Sequence, residues 1–257
     1  MLKVQAVGDD ATGSPRAGSW NVRITGHPFD IGDMRELLRE PFQLVAIDGH
    51  DYLRIGDLDA ASDEQSAMDQ ASAVVRRVNG ALAIARDDAR PITIDGGVTR
   101  LRADGRKDVH VMVTGVACQR VRVRGVGVVL GPDGATQPAP EDPASRALAS
   151  AERHSNVEEA LLVMASGKDD RYYRLREIVE ADIRPKTIPA MMGGSVKKEY
   201  GRFKLTINDS RHHRAKGSPY RTKGSPQPMN SDEVRAFARR MFDCWLAELD
   251  RRGPRST

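Results

Sequence analysis

The side chains best suited to chemistry in this chain are consecutive: Arg211, His212, His213 and Arg214. Imidazole moves protons near neutral pH, and a guanidinium can hold a phosphate through two parallel hydrogen bonds, so the combination suits phosphodiester cleavage or recognition of an anion. On a helix, adjacent side chains point about 100° apart, so one histidine would face a given site and its neighbour would face elsewhere. The cluster sits inside a basic window that holds nine Lys or Arg: Lys197, Lys198, Arg202, Lys204, Arg211, Arg214, Lys216, Arg221 and Lys223, against Glu199 and Asp209 alone. Charge concentrated in this way attracts an anionic partner, RNA or DNA first and an acidic protein second. The bland alternative is a solvated surface with no dedicated ligand. Tyr200, Phe203 and Tyr220 interleave with the charge as single-strand binding requires, although Tyr200 and Phe203 equally suit a core.

A small helical domain carrying Arg211 and His212 between apolar helices resembles the HEPN superfamily, helical proteins many of which are metal-independent ribonucleases of defence and toxin systems. The resemblance implies a nuclease in which Arg211 and His212 or His213 hold and cleave the phosphodiester. That family spaces its Arg and His several residues apart, whereas here His212 follows Arg211 directly. The order Asn208, Arg211-His212, Pro228-Met229 and Trp245-Leu246 is also similar to bacterial two-domain proteins, a likeness that implies no particular activity.

Other motifs are weaker. Ser195-Val-Lys-Lys198 matches the Ser-x-x-Lys of penicillin-binding proteins without the accompanying motifs, and Gly193-Gly194-Ser195 lacks the P-loop pattern, so a turn is the better reading. The acid pairs Asp9-Asp10, Asp87-Asp88 and Asp169-Asp170 fall at element ends, where Asp serves as a cap or turn residue. His27, His50, His110 and His154 are isolated, and Cys118 and Cys244 are too few for a disulfide framework or a zinc site. No metal and no cofactor is expected, and both thiols are expected to be buried.

Two domains should position these residues. Gly131 to Pro143, with four prolines and two glycines, reads as a linker between an α+β domain at residues 1–130 and a helical domain at 144–257. The sections before and after Pro143 differ in charge: 17 basic and 21 acidic residues precede it, 23 and 15 follow. Apolar runs are short and the N-terminus has no apolar stretch after a charged head, which points away from a membrane span and toward the cytoplasm.

In the first domain Trp20 to Thr25, Phe42 to Ile47 and His50 to Ile55 are strand-like, the last two joined by Asp48-Gly49 as a hairpin. Ile92 to Arg102, Val109 to Val113 and Val121 to Leu130 alternate apolar and polar residues, which predicts an antiparallel sheet with one wet face. A glycine bulge is expected at Gly125, with Arg120, Arg122 and Arg124 sharing a face as solvated side chains. One helix capped by Ser62, with Gln65 completing a capping box, should pack on that sheet through Ala67, Met68, Ala71, Val74, Val75, Val78 and Leu82.

The second domain should be a helical bundle. One helix starts at Pro143 and runs to Gly167 with a break near Ser155. The next follows Asp169 or Asp170 with Tyr172, Leu175, Ile178, Val179 and Ile183 on its apolar face. A last helix, capped by Ser231, buries a stripe from Val234 to Leu249. Lys198 to Arg214 is read as helix, and the repeat Lys216-Gly-Ser-Pro219, Lys223-Gly-Ser-Pro226 as an exposed loop. The chain is thus expected to bind an anionic partner through its helical domain, with nuclease and protein-interaction module as alternatives.

Overall fold

A computed structural model describes residues 19–55, 63–101, 107–111, 141–183, 188–194, 196–211 and 227–252. The chain is α+β, a sheet in its first part and helices in its last. By packing it divides into two compact units, one within Met1–Val75 and Arg90–Arg124, the other within Arg76–Ala89 and Gly125–Thr257.

The sheet unit contains β1 (Trp20–Thr25), α1 (Pro28–Leu37), β2 (Phe42–Ile47), β3 (His50–Ile55), the start of α2 (Glu64–Ala85), β4 (Thr93–Leu101) and β5 (Lys107–Val111). The strands form one sheet in the order β2-β3-β1-β4-β5, with antiparallel pairing throughout. The β2-β3 hairpin turns on Asp48 at φ 51° and Gly49 at φ 78°, the two left-handed positions that a two-residue turn matched to strand twist demands. In the central strand Val22 lies opposite Leu53 on one side and Val98 on the other, and all three are buried.

Three expectations need correction here. A second helix, α1, accompanies α2; His27 caps it by accepting the Phe29 N–H on its imidazole at 3.4 Å, and Pro28 occupies its first turn. The short stretch has too little apolar periodicity to stand out in the sequence. The second face of the sheet is covered at its centre rather than wet: Asn21, Arg54 and Thr99 are buried there, and Asn21 accepts from Arg54 at 3.3 Å while donating to the Thr99 carbonyl at 3.5 Å. Buried polar groups persist on a sheet face when they satisfy one another. The cap of α2 is Asp63, which accepts the Ser66 N–H at 2.8 Å, and Gln65 bonds Asp69 instead of closing a capping box.

A bulge does occur in this sheet, between β1 and β4. Val22 pairs with Val98 but Ile24 with Ile94, so Asp95, Gly96 and Gly97 oppose Arg23 alone, and Gly96 takes φ 62°. Arg23 reaches Asp95 at 3.2 Å across the irregularity. The bulge expected at Gly125, the strand expected at Val121 to Leu130, and Arg120, Arg122 and Arg124 lie outside the described residues. So does most of the linker expected at 131–143. The division between units also crosses α2 itself, between Val75 and Arg76, so the helix expected to pack on the sheet through residues from Ala67 to Leu82 belongs to the sheet unit only through Val75.

In the helical unit the later residues of α2 are followed by α3 (Pro143–Ala151), α4 (Ser155–Ala165), α5 (Arg171–Ile183), α6 (Ile188–Met191), α7 (Lys197–Arg211) and α8 (Ser231–Arg252). Asp142 caps α3 through the Ala144 N–H at 2.8 Å, with Pro143 behind it as expected. Helix α8 is the centre of the unit and packs against α3, α5, α6 and α7. Its buried face is Val234, Phe237, Ala238, Met241, Phe242, Trp245, Leu246 and Leu249, the stripe read from the sequence. Each large side chain buried there contributes about 2–3 kcal/mol of apolar transfer. Trp245, fully buried, donates its indole N–H to Asp182 of α5 at 2.8 Å, so its polar edge is satisfied as well. The cap of α8 is Asn230 rather than Ser231: Asn230 accepts the Glu233 N–H at 2.9 Å, and Glu233 accepts the Asn230 N–H at 2.8 Å. Among the described residues no helix is long and apolar enough to cross a membrane.

Candidate functional site

Helix α7 carries the described part of the basic window. Tyr200, Phe203 and Ile207, three and four residues apart, are buried and fix its orientation. Phe203 stacks on Phe237 of α8 with ring centroids 4.7 Å apart, and Tyr200 lies 6.2 Å from the same ring. Two of the three aromatics that could have served as base-stacking platforms, Tyr200 and Phe203, are therefore core residues.

The cations of α7 have different fates. Lys197 and Lys198 are exposed on its first turn. Arg202 is committed to the fold: its Nε donates to the Gln227 carbonyl at 2.9 Å, and its terminal nitrogen reaches Glu233 at 3.1 Å. Lys204 lies 3.9 Å from Glu180 and over the Tyr200 ring at 5.6 Å. Arg211 is the last residue of α7. Its side chain, together with His212, His213, Arg214, Lys216, Arg221, Lys223 and Tyr220, lies outside the described residues.

Beneath Lys204 a polar network ties α5 to α7. Arg176 is buried, pairs with Glu180 at 3.4 Å, donates to Asn208 at 3.4 Å and stacks over Tyr173 at 4.6 Å. It is buried on α5 although the expected apolar face did not include it, while Tyr172 and Ile178 of that face are only half-buried. The Tyr200 hydroxyl donates to Glu180 at 2.5 Å, and burial first, then that carboxylate, pushes its pKa far above the usual phenol value. Tyr200 therefore remains a donor at any physiological pH, which is a structural role.

Thr206 and Met229 join α7 to the segment that precedes α8. Thr206 Oγ1 donates to the Arg202 carbonyl at 2.9 Å and accepts the Met229 N–H at 2.9 Å. Helix α7 ends at Arg211, and Gln227 to Met229, just before α8, are tied to α7 at Arg202 and Thr206.

At that place a cleft of about 620 Å³ opens between the start of α5, the second half of α7 and the start of α8. Ile207, Met229 and Val234 form its buried floor, while Lys168, Arg171 and Arg235 line it with positive charge and Tyr172 supplies an aromatic wall. None of these cations belongs to the basic window, and the sequence offers only a faint signal for them, the Gly167 break followed by Lys168 and Arg171. They converge because three separate helices meet there.

The remaining sequence candidates have ordinary roles. His27 caps α1, and the His50 ring lies 3.1 Å from the Arg23 guanidinium. Cys244 is half-buried, not fully buried, and burial followed by the Asp243 carboxylate pushes its thiol pKa up; Cys118 lies outside the described residues. Among the described residues no group of three or more His, Cys, Asp or Glu is placed to hold a metal ion. No family model matches the chain, and neither a curated protein nor a solved structure matches it.

Proposed function

We propose that the helical unit binds nucleic acid through the basic span that joins α7 to α8. The observation that supports this is the contrast between cations paired with carboxylates inside the fold and a run of cations whose own sequence holds no acid. Arg202 and Lys204 are paired with Glu233 and Glu180, whereas residues 212–226 carry Arg214, Lys216, Arg221 and Lys223 with no acidic residue among them. The residues that follow that span, Gln227 to Met229, are tied to α7 by the Arg202 to Gln227 and Thr206 to Met229 hydrogen bonds. Phosphate neutralisation by such a cluster makes affinity electrostatic and dependent on counterion release. The buried positions of Tyr200 and Phe203 favour backbone contacts over base stacking on α7.

The test is fluorescence anisotropy with single-stranded RNA and DNA oligonucleotides across a salt series. The expected result is binding that weakens steeply with salt and has a shallower salt slope after Arg211→Ala, Arg214→Ala and Lys216→Ala together. Binding independent of salt, or none, refutes the reading. A partner recovered after nuclease treatment that competes for the same residues would put an acidic protein in place of nucleic acid.

A further inference from the structure

We infer that the cleft at the start of α5 and α8 is a site for a small phosphorylated ligand bearing a ring, of the size and kind of a nucleoside monophosphate. The proposal does not depend on the basic span, because every residue it uses lies outside residues 211–226.

Size sets the first limit. A cleft of about 620 Å³ falls in the range of pockets that enclose a small organic ligand, and far exceeds what an inorganic anion fills. Charge sets the second. Among the described lining residues Lys168, Arg171 and Arg235 face Asp169 alone, a net charge of about +2, which matches a phosphate monoester at about −1.5 to −2 and exceeds what one carboxylate would neutralise.

The cations are also available. Arg171 has no carboxylate within ion-pair distance among the described residues; its guanidinium lies 4.9 Å over the Tyr172 ring and 3.4 Å from the Tyr172 hydroxyl, which holds the fork without neutralising it. Among the described residues the carboxylate that reaches Arg235 is Asp232 at 3.7 Å, and Asp232 is 92% exposed, so water screens the pair. Lys168 is exposed at the rim. The floor supplies the other half of the recognition: Ile207, Met229 and Val234 offer an apolar surface on which a ring loses water at little polar cost. A guanidinium at the mouth for the phosphate and an apolar base for the ring together describe an amphipathic ligand.

Such a ligand has two sources, a free nucleotide or the phosphorylated end of a strand. Isothermal titration calorimetry on the full chain with adenosine 5′-monophosphate should give saturable binding. Inorganic phosphate should bind at least about tenfold more weakly for want of the apolar contact. Arg171→Gln with Arg235→Gln should lower nucleotide affinity at least about tenfold, and Lys168→Glu, at an exposed position that cannot unsettle the core, should lower it in the same direction. Lys197→Ala with Lys198→Ala should leave it unchanged. Displacement of the nucleotide by a 5′-phosphorylated oligonucleotide but not by its 5′-hydroxyl form would assign the strand end; displacement by neither would assign the free nucleotide. No binding of the nucleotide by the unmodified chain, or binding untouched by Lys168→Glu and the double substitution, overturns the proposal. Loss of oligonucleotide binding on removal of Arg211, Arg214 and Lys216, with nucleotide binding intact, separates this site from the basic span.

Discussion

The Met229 backbone N–H donates to the Thr206 hydroxyl at 2.9 Å, and this bond closes the root of the span between α7 and α8. Thr206 in turn donates to the Arg202 carbonyl within α7, and Arg202 grips the Gln227 carbonyl, so two bonds from neighbouring turns of α7 hold the segment that re-enters the fold. Thr206→Val keeps the shape but leaves the half-buried Met229 N–H without its acceptor. A loss of about 1–2 kcal/mol is expected in urea unfolding, with faster amide exchange at Met229. Unchanged exchange there would mean that the root is held by Arg202 alone.

Glu233 makes the same region acid-sensitive. Its carboxylate titrates below the ordinary 4.5, first because the Asn230 N–H donates to it and then because Arg202 does. An acid with a lowered folded pKa contributes stability that is fully present above the unfolded value and is lost as pH falls through the folded one. The difference in thermal midpoint between the natural chain and Glu233→Gln should therefore be constant above about pH 5.5 and shrink as the pH drops below 4.5. A difference that grows with acid would reverse the assignment.

Gly80 marks a close approach of α2 to α4. A Cβ there would fall 2.0 Å from the Leu161 carbonyl oxygen, a backbone atom that cannot move aside cheaply. Alanine normally gains about 1 kcal/mol over glycine inside a helix. Overpacking should outweigh that gain, and Gly80→Ala should cost about 3 kcal/mol in denaturant unfolding. A stabilised variant would show that the two helices can part at this point.

Cys244 should be a slow thiol. In a Cys118→Ser background, reaction with a disulfide reagent at neutral pH should be at least about tenfold slower in the folded chain than in denaturant, since burial and Asp243 both disfavour the thiolate. A folded-state rate equal to the unfolded one would place the thiol in water.

Helix α8 was readable because its apolar residues recur with the helix period from Val234 to Leu249, about four turns, which leaves no competing pattern. The β2-β3 hairpin was readable because Asp48-Gly49 suits a turn that few other pairs permit. Helix α1 was not, since its ten residues bury Asp30 and Asp33 alongside Ile31, Met34 and Leu37 and so blur the stripe. The cap of α2 lies one residue after the expected one and that of α8 one residue before it, because neighbouring Ser, Asp and Asn are equivalent as letters and only the local chain geometry selects among them.

What the sequence determined by itself is therefore local: which stretches are helix or strand, where the last helix buries its stripe, and that positive charge gathers between Lys197 and Lys223. Periodicity and composition are properties of neighbours along the chain. Only the tertiary structure decided which of those charges are spent on the fold, that Tyr200 and Phe203 face inward, and that Lys168, Arg171 and Arg235 meet around one cleft. Those outcomes depend on contacts between residues tens of positions apart, set by how α5, α7 and α8 pack, and no short-range pattern encodes them.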